Sequence, residues 1–137
     1  MRIYLDNCCY NRPYDDQSQI RIHLETEAKL HIQSLVKKGE LELVTSFMLE
    51  YENGKNRYLQ KRETIAEFMN TNESYYVGPE KGEEIAKTAK SIMETGVKEK
   101  DAIHVACAVF AQCDYFITTD DRLLKYQTER MPLVTTW

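Results

Sequence analysis

The sequence predicts an α/β protein with three layers, α/β/α, around a central parallel sheet. Short β-rich runs alternate from end to end with longer segments whose apolar residues recur at helical spacing, which is the signature of strand–helix–strand units. The run 115–118 (YFIT) carries no internal charge, as expected of a strand covered on both faces. The 137 residues contain no repeat and no low-complexity linker, so the expectation is one domain over 1–137.

Residues 2–5 (RIYL) read as the first strand, ended by Asp6, and a polar loop, NCCYNRPYDDQ, follows. From about Gln17 the pattern turns helical, with Ile20, Leu24, Ala28, Ile32, Leu35 and Val36 on one face; Lys37, Lys38 and Gly39 close it. Residues 41–45 (LELVT) form a second strand, and Ser46 is a natural cap for the next helix. That helical stretch, FMLEYENGKNRYLQKRETIAEFMN, breaks near Gly54. Phe47, Met48, Tyr51, Tyr58, Ile65 and Phe68 are expected to face inward.

Residues 74–77 (SYYV) are a third strand, and Pro79 opens a helix running to Thr95, with Gly96 at its end. From Asp101, the small residues Ala102, Val105, Ala106, Ala108 and Val109 make a stripe suited to close packing on a sheet. The strand 115–118 comes next, then Asp120 and Asp121, which suit the cap of a short helix, and finally a strand at 133–135.

Composition excludes several classes of function. No stretch is apolar enough for a membrane span, and no leader pattern is present, so a cytoplasmic protein is expected. Cys8, Cys9, Cys107 and Cys113 have no zinc-like spacing and read as reduced, mostly buried thiols. A net charge of −4 argues against coating nucleic acid nonspecifically, since that binding needs a basic surface to displace counterions. It leaves room for a nuclease whose acids hold cations.

Four acids stand at comparable places: Asp6 after the first strand, a glutamate in the helix after the second, Asp101 at the head of a late helix, and Asp120 after the fourth strand. In a parallel sheet the carboxyl ends of the strands share one edge, so these side chains are expected to converge. Converging carboxylates repel unless a cation holds them. Hard divalent ions with oxygen ligands, Mg²⁺ or Mn²⁺, fit that role and suit hydrolysis of a phosphodiester. Glu50 and Glu52 are about 200° apart on a helix, so only one of them can face such a site. A phosphatase with an aspartyl nucleophile is set aside, because position 8, where a second Asp is expected, is Cys8.

The segments IYLDNCC, TSFMLEYEN, KDAIHVACA and CDYFITTDD, in this order and over the whole length, resemble the PIN-domain family. Members include nucleases that are toxins of bacterial toxin–antitoxin systems. The resemblance implies a Mg²⁺- or Mn²⁺-dependent endoribonuclease acting on single-stranded RNA, a homodimer, and a cognate antitoxin partner. Carried over by position, Asp6, Glu52, Asp101 and Asp120 are the metal ligands and catalytic acids, and the hydroxyl of Thr118 supports the site. Glu52 is preferred to Glu50 because its distance from Ser46 matches the family's serine-to-glutamate spacing. The family commonly has Thr or Ser directly after the first Asp; here Asn7 stands, a side chain able to bond a water or phosphate.

Arg12 and Arg21 are candidates for holding substrate near the first acid. The basic run KNRYLQKR reads as a solvated helix face, with RNA binding as its second reading. His104, one turn beyond Asp101, reads as a satisfied neighbour in an apolar helix, with contact to a phosphate or water as the alternative. Asp121 reads as a cap, with a water-mediated metal contact as the alternative, and Cys8 and Cys9 as inert packing. The altered segment after Asp6 and the acidic charge also allow a PIN-like scaffold that has lost catalysis and binds RNA or protein.

Overall fold

The structure is a computed structural model and describes residues 1–125 and 133–135. In chain order the elements are β1 (Arg2–Leu5), α1 (Asn7–Asn11), a 3₁₀ turn (Arg12–Tyr14), α2 (Ile20–Lys37), β2 (Glu42–Ser46), α3 (Phe47–Gly54), α4 (Leu59–Asn72) and β3 (Glu73–Val77). A second 3₁₀ turn (Pro79–Lys81), α5 (Gly82–Met93), α6 (Glu99–Phe110), β4 (Tyr115–Ile117), α7 (Asp121–Leu124) and β5 (Leu133–Thr135) follow. The strands form a five-stranded sheet in the order β3-β2-β1-β4-β5, and every pair is parallel. This is the expected α/β architecture.

Strand order decides where a site can form. From β1 the chain steps to β2 and β3 on one side, then returns to lay β4 on the other side of β1. Neighbouring strands whose connections leave in opposite directions open a crevice at their carboxyl ends. Here that crevice lies between β1 and β4, whose registered ends are Leu5 and Ile117. The residues that follow them are Asp6 and Thr118.

The core is built on the two central strands. Tyr4 and Phe116 are fully buried and stack with centroids 5.3 Å apart, and Tyr4 and His104 pack edge to face with ring centroids 5.7 Å apart. Ala102, Val105, Ala106 and Ala108 of α6 are fully buried, and α6 packs closely along α5, which buries Ile85, Ala89 and Ile92. Small side chains let α6 approach its neighbours, which places Asp101 and His104 close above β1. Gly39 and Gly96, at helix ends, have φ of 78° and 101°, where a side chain would be strained.

Several sequence expectations are corrected. The stretch after Asp6 is not a loop: residues 7–11 form α1, capped by Asp6, whose Oδ1 accepts from the Asn7 N–H at 2.8 Å. Five residues are too few for periodicity to register. Pro79 opens a 3₁₀ turn, and the α-helix after it starts at Gly82 and ends at Met93.

On α2 the apolar stripe does not face inward throughout. Ile20 and Leu24 are 77% and 60% exposed, whereas Glu25, Thr26 and Lys29 are buried. The helix is turned by its polar bonds: Arg12 Nε donates to Glu25 at 2.9 Å, and Thr26 Oγ1 donates to the Arg12 carbonyl at 3.1 Å. Tyr51 and Tyr58 are also exposed: α3 buries Met48 and Leu49 and leaves Tyr51 under the Lys55 ammonium, and Tyr58 stands outside the helices at the cap of α4.

Candidate functional site

Asp6 enters the site as the cap between β1 and α1, and it is buried. One carboxylate oxygen takes the Asn7 N–H; the other takes the Thr118 hydroxyl at 2.7 Å. Thr118 in turn accepts the Asp120 N–H at 3.0 Å. One hydroxyl therefore ties the end of β1 to the end of β4. Asp120 caps α7, its Oδ1 accepting from the Arg122 N–H at 2.9 Å.

Asp101 lies in the first turn of α6, where the helix dipole favours a negative charge. Burial nonetheless pushes its carboxyl up to about 6, with Asp6 and Asp120 adding like-charge repulsion. No hydrogen bond or ion pair with a described residue neutralises it.

Glu52 comes from α3 and is half-buried. Its carboxylate is in hydrogen-bond contact with His104 Nε2. Burial pulls the Glu52 carboxyl upward, but the bond and charge of His104, then Lys100 and Asn7, leave it below the usual glutamate range. His104 is raised: burial opposes its charge, and Glu52, Asp6 and Asp101 outweigh burial. Its other ring nitrogen, Nδ1, bonds the Tyr4 hydroxyl at 2.6 Å, which bonds Ser46 Oγ at 2.6 Å.

Asp6, Asn7, Arg12, Glu52, Asp101 and Asp120 all line one open cleft of about 360 Å³. Thr118 lies beneath it. Glu50 is exposed and borders a different pocket, beside Asn53 and Glu73. Arg12 reaches the cleft wall with part of its guanidinium engaged, on Asp15 and Glu25 at 2.9 Å each. Arg21 is held by Asp121 through contacts of 2.9 and 2.7 Å, so both of those side chains are taken up with each other.

The sequence reading missed Asn11, Asp15 and Lys100 on the cleft wall. Lys100 was findable, since it adjoins Asp101 in the first turn of a helix. A second cleft, of about 220 Å³, shares Asp101 and Asp120 with the first and brings Lys98, Arg122 and Lys125 to its walls. Acids at the centre are thus flanked by cations on both sides. Such a layout can draw in a polyanion while keeping carboxylates at the point of reaction.

By donor chemistry the cleft fits a hard divalent cation: it offers carboxylate oxygens, and Asp101 has no cation of its own. By spacing, no group of three or more His, Cys, Asp or Glu side chains among the described residues is placed to hold a metal ion as it stands. Among the same residues no helix is long and apolar enough to cross a membrane.

No family model matches the chain, and no curated protein matches it. Among solved structures, the crystal structure of VapBC2 from Rickettsia felis bound to a DNA fragment from their promoter is similar, with a TM-score of 0.57 and 12% sequence identity. The similarity covers 100% of this chain and 99% of that chain. At this identity the likeness is one of fold.

Proposed function

We propose that this protein is a PIN-like endoribonuclease that uses Mg²⁺ or Mn²⁺ to cleave phosphodiesters of single-stranded RNA, and that it is the toxin of a toxin–antitoxin pair. One observation carries the reading: Asp6, Glu52, Asp101 and Asp120, from four separate segments, line a single cleft at the carboxyl end of a parallel sheet. The fold shared with a chain of VapBC2 supports it. An antitoxin partner and a homodimer belong to the same proposal.

These four carboxylates would hold the metal. A divalent cation held there would supply the positive charge that lowers the pKa of a water and offsets charge on phosphoryl oxygens. The chain's own residues do the rest. Thr118 orients Asp6, and His104 orients Glu52. Lys98, Lys100, Arg122 and Lys125 attract the phosphates on either side of the acids. Asn7, at the start of α1 and on the cleft wall, offers an amide to a phosphate or water.

Purified protein is expected to cleave single-stranded RNA with Mg²⁺ or Mn²⁺ and to stop when the metal is chelated. Asp6→Asn and Asp101→Asn are each expected to abolish cleavage; full activity in either variant would reject the proposal. The alternative reading is a scaffold without catalysis, favoured by the open spacing of the acids. It requires a protein that takes up no Mn²⁺ at millimolar concentration yet binds RNA or a partner tightly.

A further inference from the structure

His104 is a polar residue in the middle of an apolar helix face, flanked by buried Ala102, Val105, Ala106 and Cys107 and partly buried Ile103, and is itself 1% exposed. Burying an imidazole there is unfavourable unless both nitrogens are bonded, and an aliphatic side chain of similar volume would pack as well. Both nitrogens are in fact used. Nδ1 bonds the Tyr4 hydroxyl, which is anchored to Ser46 Oγ, and that oxygen also caps α3 by accepting the Leu49 N–H at 3.3 Å. Nε2 bonds Glu52. The chain Ser46–Tyr4–His104–Glu52 thus runs from the centre of the sheet to the wall of the cleft.

Glu52 needs such a restraint more than the other acids do. Asp6 and Asp120 are caps held by backbone N–H groups, and Asp101 is a short side chain on a buried helix. Glu52 has one more rotatable bond and lies near the end of α3, two residues before Gly54, where the helix stops. Without a partner its carboxylate can swing into solvent. We infer that His104 is a positioning residue: braced by Tyr4 and Ser46, it holds the Glu52 carboxylate in the acidic cleft, so that cation capture depends on a residue that never touches the ion. This rests on the metal-nuclease reading above.

Two substitutions separate the two ends of the ring. His104→Asn can keep the bond to Tyr4 but is too short to reach Glu52. His104→Gln extends an amide toward the Nε2 position and can still donate to Glu52. Mn²⁺ affinity, measured by calorimetry on the full chain, is the readout, with circular dichroism and thermal melting to establish folding. Losing an outer-shell partner of a metal ligand typically weakens binding by about 10–100-fold. His104→Asn is therefore expected to weaken Mn²⁺ at least about 10-fold while still melting cooperatively, and His104→Gln to stay within about 3-fold of wild type.

Glu52→Gln is expected to cost as much as His104→Asn, and the double variant no more than Glu52→Gln alone, because the histidine acts only through the carboxylate. A folded His104→Asn protein that binds Mn²⁺ like wild type, or losses that simply add in the double variant, would overturn the inference and leave the nuclease reading intact. Wild type that binds no Mn²⁺ would overturn both. If His104→Asn does not fold, His104→Gln decides: binding within about 3-fold of wild type supports the positioning role, and a loss that adds in full to that of Glu52→Gln in the double variant rejects it.

Discussion

Asp6 and Thr118 lie 112 residues apart and share a hydrogen bond of 2.7 Å at the crevice between β1 and β4. The same hydroxyl accepts the Asp120 N–H, so a single oxygen sets the relation between two of the cleft's acids.

Thr118→Val keeps the shape and removes that oxygen. It leaves a buried Asp6 oxygen and the Asp120 N–H without their partner, a loss of about 1–3 kcal/mol in stability. Urea unfolding is expected to show this, and RNA cleavage is expected to fall at least about 10-fold as Asp6 loses its orientation. Thr118→Ser, which keeps the oxygen, is expected to recover most of both.

Asp101 should trade stability for function. Its carboxyl is pushed up to about 6 by burial and by Asp6 and Asp120. A raised folded-state value means the folded protein prefers the protonated acid. The penalty is absent below the unfolded value near 4 and complete above about 6. Asp101→Asn is therefore expected to raise the melting temperature of the metal-free protein at pH 7.5, by an amount worth about 1–2 kcal/mol after allowance for partial exposure, while abolishing cleavage. The gain should shrink as the pH is lowered toward 4, which thermal melts of both proteins across pH 4–8 would test.

Lys29 carries a different pH signature, in a pocket separate from the cleft. It is buried, donates to Gln33 at 2.6 Å and lies over the rings of Tyr10 and Phe68 at 5.7 and 5.2 Å. Burial lowers its ammonium to about 8. A lowered lysine costs stability below that value, and the cost is relieved as the pH rises from about 8 to the unfolded value near 10.5. Lys29→Met is expected to be more stable than wild type at pH 7, by about 2–3 kcal/mol less whatever the ring contacts contribute, and the difference should narrow above pH 8. Denaturant titrations at pH 7, 8.5 and 10 would measure it.

Lys98, Arg122 and Lys125 line the cleft that continues past Asp101 and Asp120. Replacing all three with Ala is expected to raise KM for RNA and leave kcat nearly unchanged. Each lost phosphate contact should also lower the salt dependence of binding by about 0.7 in log–log slope. An unchanged slope would place the RNA elsewhere, the KNRYLQKR face being the next candidate.

The strand and helix alternation made the parallel architecture legible from the sequence, because a βαβ unit needs little beyond a period of hydrophobicity and a turn. Chain position likewise marked Asp6, Asp101 and Asp120 as residues at strand ends or a helix start. Side chains that serve two purposes were harder to read. Asp6 caps α1, yet the five residues it caps are too few for a pattern to show. On α2 the buried face was misjudged because Arg12, from another segment, pairs with Glu25 and turns the helix. His104 looked like a neighbour in an apolar helix. Its partners Tyr4 and Glu52 are 100 and 52 residues away, and no local signal announces them.

By itself the sequence determined the kinds of element, their order, and which acids stand at their ends, since these follow from local periodicity and from the chemistry of each cap. Only the tertiary structure decided that β4 returns to lie beside β1 and that the acids therefore line one cleft, with Glu52, the glutamate preferred by its spacing from Ser46, on its wall and Glu50 in another pocket. The physical reason is that strand order is settled by how all the elements share one core. That is a sum over contacts distant in sequence, which no single stretch of it contains.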